Sequence, residues 1–189
     1  MPATSRAGGV AAAEPRFARV THVEQLRHGL AALDLAGFRL VRSSARLPAA
    51  VVLVRGYSTL GEHGALWMAL GGAGALLDRR RRDRWRQATL AVLAAQVTST
   101  AIKLLIGRRR PIVDELPALI ATPTGLSFPS SHASGSFAAA RAFAPLVGSR
   151  TIYVAASAMA LSRVLLGVHY PSDVVAGAAL GTVIGSLGR

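Results

Sequence analysis

Apolar runs alternate with short polar stretches along most of this chain, and the change from one to the other predicts its elements. From residue 63 onward the runs fall at roughly 63–78, 86–106, 133–148, 150–168 and 172–188. Each predicts a helix that crosses the ~30 Å hydrocarbon core of a bilayer, the shorter ones by tilting or drawing on flanking residues. Upstream the pattern differs. In residues 17–42, Val23, Leu26, Leu30, Leu33 and Leu40 are interleaved with Arg and His, which predicts one or two amphipathic helices lying at the membrane interface. The run Ala49 to Val54 is broken by Arg55 and Gly56, so Pro48–Leu60 is expected to be interfacial too. Residues 1–15, rich in Ala and Gly, are expected to be disordered. The pattern therefore predicts an all-α fold, a polytopic membrane bundle of about five transmembrane helices. It divides the chain into a disordered start (1–15), an amphipathic interfacial segment (16–62) and a membrane-embedded domain (63–189).

Composition agrees with a membrane protein, since 51% of the 189 residues are hydrophobic. The excess of basic residues, 22 Lys and Arg against 9 Asp and Glu, does not point to nucleic acid. Arg79, Arg80, Arg81, Arg82, Arg84 and Arg86 crowd one short loop between apolar runs instead of spreading over a soluble face, which reads as a topology signal that also attracts anionic lipid. With that loop cytoplasmic, the second run leads outward, the third inward, the fourth outward and the fifth inward. Residues 1–20 lack the apolar stretch of a signal peptide, and the absence of Cys excludes disulfides and thiolate metal sites. Small residues predict close helix packing: Gly71, Gly72 and Gly74, then Ala138, Ala139 and Ala140, then Gly177, Gly181 and Gly185. The last stripe would serve packing within the chain or, alternatively, a homodimer face.

Three stretches carry the chemistry. They are Lys103 to Arg110-Pro111, Phe128-Pro129-Ser130-Ser131-His132, and Ser162-Arg163 through His169 to Asp173. Together they hold fixed positive charge, two imidazoles and a carboxylate, an inventory for gripping a phosphate, attacking it and protonating what leaves. Under the topology above, all three lie at the outer ends of their helices.

Order and spacing resemble the three-part signature of the type 2 phosphatidic acid phosphatase family, Lys-x6-Arg-Pro, Pro-Ser-Gly-His and Ser-Arg-x5-His-x3-Asp. Ser131 departs from it by standing where the family has Gly. The resemblance implies a metal-independent membrane phosphatase without a cofactor, and no cluster of residues with metal-ligand spacing argues otherwise. Lys103, Arg110 and Arg163 would neutralise phosphate oxygens, with Ser130 and the backbone N–H groups of Ser131 and His132 adding donors at a helix N-terminus. His169 would be the nucleophile, forming a phosphohistidine. Asp173 would hold its tautomer, and His132 would act as general acid and then general base. Arg108 and Arg109 read better as membrane-edge arginines reaching for head groups. Glu62 and His63, ahead of the first span, would touch a substrate head group or cap the interface. Asp114 and Glu115 lie in a 111–128 loop that suits a flap over the site.

A site at the bilayer edge implies a lipid phosphate substrate. The wording around Ser131 and His169, the Gly61-Glu62-His63 triplet and the five-span length resemble a bacterial branch acting on decaprenylphosphoryl-phosphoribose in cell-wall arabinan synthesis. Polyprenyl diphosphate or phosphatidylglycerol phosphate are the alternatives, and a non-catalytic lipid-phosphate-binding protein is the alternative of another class. The expected location is the bacterial plasma membrane, multi-pass, with an extracytoplasmic site.

Overall fold

Helix-breaking residues divide the chain much as the polarity pattern does. The structure, a computed structural model, describes residues 22–187, so the stretch expected to be disordered lies outside the described residues. Seven α-helices are present among the described residues: α1 (His22–Ser43), α2 (Pro48–Leu60), α3 (Ala65–Leu77), α4 (Arg82–Ile106), α5 (Ser131–Val147), α6 (Ser149–Leu165) and α7 (Pro171–Leu187). Single 3-10 turns occupy Glu62–Gly64 and Arg79–Arg81, and the only strand-like pairing described is an isolated bridge between Arg109 and Leu126. Pro48 and Pro171 open α2 and α7, where a missing N–H costs nothing. Gly107 ends α4 in the left-handed conformation at φ 66°, its N–H closing on the carbonyl of Lys103 at 3.0 Å.

The helical expectation holds, and α3 to α7 occupy the five predicted runs. By length and composition, one described segment, Arg79–Ile106, suffices alone to cross a membrane. α5 is the hub. It packs on α4, α6 and α7, and buries Ala133, Ser134, Gly135, Ser136, Ala138, Ala139, Ala140, Phe143 and Ala144. Small side chains there let neighbours approach to backbone distance. A Cβ placed on Gly177, Gly181 or Gly185 of α7 would run into the backbone of Ser130, Ser134 or Ala138 of α5. That stripe is therefore filled within the chain and is not available as a homodimer face. Gly71 and Gly74 likewise make room for Thr89 and Trp85 of α4, whereas Gly72 faces open space and packs against nothing.

The two upstream helices both pack on the bundle. α1 is one helix with two faces: Leu26, Leu30, Leu33 and Leu40 are exposed, while Asp34, Phe38 and Arg42 are buried against the bundle. α2 packs on α6. Its Tyr57 hydroxyl donates to the Ala155 carbonyl at 2.8 Å, its Ser58 accepts from Arg163, and Leu53, Val54 and Tyr57 share an apolar groove with Ala158, Leu161 and Leu165. The contact runs from Ala155 to Leu165, about 15 Å of α6 at 1.5 Å per residue. Arg55 and Gly56, which argued against burial, are exposed on the outward side of α2.

Along α4, Arg82 and Lys103 are about 32 Å apart at 1.5 Å per residue, close to one hydrocarbon thickness. The arginine turn therefore marks one end of the bundle and the three motif stretches the other.

Candidate active site

The motif-bearing end encloses a cavity of about 270 Å³. Lys103 reaches it from the last turn of α4, Arg110 from the following loop, Ser131 and His132 from the first turn of α5, Arg163 from the last turn of α6, and His169 from the loop before α7. Helix geometry explains the convergence, because each cation or imidazole sits at a terminus where the chain leaves the packed core. Gly61 leaves room for His132, whose Cδ2 would lie 3.1 Å from a Cβ there.

Glu62 is the one carboxylate on the wall of this cavity among the described residues, and it stands beyond ion-pair distance of the cations. Lys103 and Arg163 are buried at 8% and 5% exposure, Arg110 is half-buried, and none forms an ion pair among the described residues. Arg163 donates from Nη1 to Ser58 Oγ, but its buried Nε has no partner. Burying cations unpaired is costly, so the arrangement fits an anion that supplies the missing acceptors. The α5 N-terminus adds to this. Ser134 N–H is the first to reach a helical carbonyl, Ser130 O at 2.9 Å, which leaves the N–H groups of Ser131 and His132 ahead of the helical ladder beside the cavity.

His169 is 1% exposed. Arg110 Nη1 lies 3.2 Å from its Nε2 and donates to the Val168 carbonyl at 2.7 Å. A guanidinium only donates, so Nε2 carries the lone pair and Nδ1 the proton. Nδ1 faces Asp173 Oδ2 at 3.5 Å, too long for a formed hydrogen bond but the nearest carboxylate oxygen to it. Burial first, and then the charges of Arg110, Arg163 and Lys103, push the His169 imidazole well below the ordinary histidine range. Its neutral form is thus the resting one.

Not every sequence-predicted site residue reaches the cavity. Ser130 is fully buried and caps α5, its Oγ accepting from Ala133 N–H at 3.5 Å and its own N–H donating to the Asp173 carbonyl at 3.0 Å. These contacts hold the start of α5 against α7 and keep Ser130 off the cavity wall. Asp173 stands behind His169, fully buried, and is not part of the cavity wall. The expectation for Arg108 is overturned. Instead of reaching outward to head groups, it donates to Asp173 Oδ1 at 2.8 Å, Ser172 Oγ at 2.7 Å and Asp34 Oδ2 at 2.7 Å. Arg109 is exposed, as a membrane-edge arginine would be.

Glu62 and His63 line the cavity from the break between α2 and α3, alongside Ser58, Thr59, Gln96 and Thr100, which sequence reasoning missed. His63 has φ 51°, a left-handed conformation disfavoured for a side-chain-bearing residue. The 111–128 loop covers the opposite side through Ile120, Ala121, Thr122, Pro123 and Thr124, while Asp114 and Glu115 point to solvent. It is pinned by Arg110 N–H to the Gly125 carbonyl, Ser127 N–H to the Arg108 carbonyl and Arg42 Nη2 to the Pro117 carbonyl.

Comparison with known proteins gives the same picture from a different direction. The PAP2 superfamily profile matches residues 84–188. The decaprenylphosphoryl-5-phosphoribose phosphatase of Mycobacterium tuberculosis is 41% identical over 140 residues, covering 74% of this chain and 79% of that protein. The protein of the same name from Mycolicibacterium smegmatis is 39% identical over 130 residues, covering 69% and 72%. The crystal structure of Aquifex aeolicus LpxE superposes with a TM-score of 0.72 at 25% identity, over 82% of this chain and 94% of that one. A PAP2-type phosphatidylglycerolphosphate phosphatase from Bacillus subtilis shares the fold, with a TM-score of 0.71 at 23% identity over 85% and 84%. With the three motif stretches gathered at one end of a helical bundle and the profile spanning more than half of its length, the chain belongs to the PAP2 superfamily of membrane phosphatases.

Proposed function

We propose that this membrane lipid phosphatase removes the terminal phosphate from a polyprenyl-linked phosphosugar, the 5-phosphate of decaprenylphosphoryl-5-phosphoribose being the best fit. The observation that carries the reading is the group of three cations without a carboxylate partner around a cavity that also holds His132 and the lone pair of His169 Nε2. A phosphate monoester supplies the missing negative charge. The end of α2, the break at Gly61–Gly64 and α4 add a wall of hydroxyl, amide and carboxylate groups from Ser58, Thr59, Glu62, Gln96 and Thr100, which suits a hydroxyl-bearing sugar better than a bare diphosphate.

The chemistry follows from this placement. On substrate binding, Arg110 exchanges His169 Nε2 for phosphate oxygens, freeing the lone pair. Nε2 then attacks phosphorus; a P–N bond forms as the ester P–O bond breaks, and His132, made imidazolium by the proton that the monoanionic ester brings in, gives that proton to the departing sugar oxygen. Asp173, facing Nδ1–H, stabilises the charge that develops on the ring. Water deprotonated by His132 next attacks phosphorus, breaks the P–N bond and releases inorganic phosphate. Lys103, Arg110, Arg163 and the α5 N–H groups stabilise the equatorial oxygens throughout.

The proposed placement is multi-pass in a bacterial plasma membrane, with the cavity on the extracytoplasmic side. It is supported by the arginine turn at the opposite end of α4. α2 and α3 then act as one broken crossing, α2 beside the site-proximal half of α6 and α3 leading to the arginines, which keeps α1 outside.

The test is phosphate release by purified protein in detergent with EDTA, offered decaprenylphosphoryl-5-phosphoribose, decaprenyl diphosphate, phosphatidylglycerol phosphate and phosphatidate. Highest kcat/KM on the phosphosugar lipid and inhibition by vanadate are expected. Preference for the diphosphate would overturn the substrate assignment, and activity that requires an added divalent ion would overturn the mechanism.

A further inference from the structure

Behind His169, on the side away from the cavity, lies a polar cluster that the phosphatase chemistry does not use directly. Its centre is Arg108, whose two arms reach different carboxylates, Nη1 to Asp173 Oδ1 at 2.8 Å and Nη2 to Asp34 Oδ2 at 2.7 Å. The guanidinium stacks on the Tyr170 ring with its carbon 4.3 Å from the centroid. Asp34 comes from α1 and is 8% exposed. Its Oδ1 accepts from Ser172 N–H at 2.8 Å and its Oδ2 from Ser172 Oγ at 2.5 Å, so it caps the first turn of α7 from another helix. Asp173 is the next residue, and its Oδ2 accepts from Tyr170 N–H at 2.8 Å while facing His169 Nδ1.

These contacts fix the direction of one carboxylate. A guanidinium tends to pair with a single carboxylate through two parallel hydrogen bonds. Here Asp34 occupies one arm, so Arg108 can hold only one oxygen of Asp173 and leaves the other turned to His169. Without the Asp34 charge, Arg108 would be free to take both Asp173 oxygens and draw the carboxylate off the histidine.

Resting on the phosphatase reading above, we propose that Asp34 is a positioning residue: through Arg108 it sets Asp173 against His169, making the N-terminal helix part of the active site. Packing alone would not need it. Phe38, one turn on from Asp34, already fills the α1 contact with Val164 and Tyr170, and a buried carboxylate is an expensive way to add to it. Neither Asp34 nor Arg108 touches the cavity, so their effect should fall on turnover and leave substrate binding alone.

The experiment uses full-length protein in detergent with decaprenylphosphoryl-5-phosphoribose, wild type alongside Asp34→Asn, Asp34→Glu, Arg108→Lys and the double variant Asp34→Asn/Arg108→Lys. Asp34→Asn should lower kcat about tenfold, as loss of partners behind a reacting group commonly does, with KM nearly unchanged. Asp34→Glu should recover much of that loss, and the double variant should be no worse than the poorer single one, because both act through one contact. An Asp34→Asn enzyme with wild-type kcat, a change confined to KM, or additive losses would overturn the proposal. If Asp34→Asn does not purify as a single species, Arg108→Lys alone carries the test, since it keeps the positive charge but not the two-armed fork that divides the carboxylates. A lower kcat at constant KM supports the proposal and an unchanged kcat defeats it. Wild-type protein that releases no phosphate from any lipid would instead defeat the phosphatase reading, and this inference with it.

Discussion

At the scale of single residues, the imidazole of His169 makes the sharpest predictions. His169→Ala should abolish phosphate release while lipid phosphate still binds, because the cations around the cavity remain; equilibrium binding measured beside turnover checks both halves. Since its folded value is depressed, the ring stays neutral above that value and is protonated only as pH falls through it, well under the ordinary figure of about 6.5. In ring-labelled protein, the nitrogen signal lost in His169→Gln should stay that of neutral imidazole at pH values where an ordinary histidine is already protonated. A midpoint near 6.5 would contradict the placement. His63 tests the sugar wall. His63→Gly should relieve about 1 kcal/mol of left-handed strain, read as a higher unfolding temperature, while raising KM for the phosphosugar lipid. The residues gathered at the cavity were legible because their types and spacings carry chemistry in themselves. Arg108 was not, since an arginine beside two others looks alike whether it faces lipid or grips a carboxylate brought in by a distant helix.

At the scale of elements, the contact between α5 and α7 is set by what is missing from the side chains. Gly181→Ala should cost about 1–3 kcal/mol, because its methyl would meet the Ser134 carbonyl where backbone cannot yield. Gly72→Ala should be neutral or stabilising by about 0.5–1 kcal/mol, since nothing lies within 4 Å and a glycine inside a helix is costly. Thermal unfolding in detergent separates the two, and equal effects would contradict the packing. Periodicity located α3 to α7 because long apolar runs leave few other options. It did not show the packing of α2, where polarity averaged over thirteen residues hid the fact that Arg55 and Gly56 share an outward side while Tyr57 and Ser58 turn toward α6.

For the whole molecule, the separation between arginine turn and cavity predicts sidedness. In this cysteine-free chain, a cysteine replacing Ala118 should react with a membrane-impermeant thiol reagent in intact cells, and one replacing Asp83 should not. The reverse pattern would turn the molecule over while leaving its chemistry intact. The Ser172–Asp34 hydrogen bonds join residues 138 positions apart, tying the first described helix to the last. A ribosome builds these ends in order, so Lys103, Arg110 and His132 are made first, Arg163 and His169 follow late, and the clasp behind His169 closes only once Ser172 and Asp173 are added. A nascent or prematurely terminated product lacking α7 would then carry every cation and both histidines yet lack the carboxylate behind His169, so it would hold lipid phosphate better than it hydrolyses it, and full enzymatic competence would arrive only as α7 inserts.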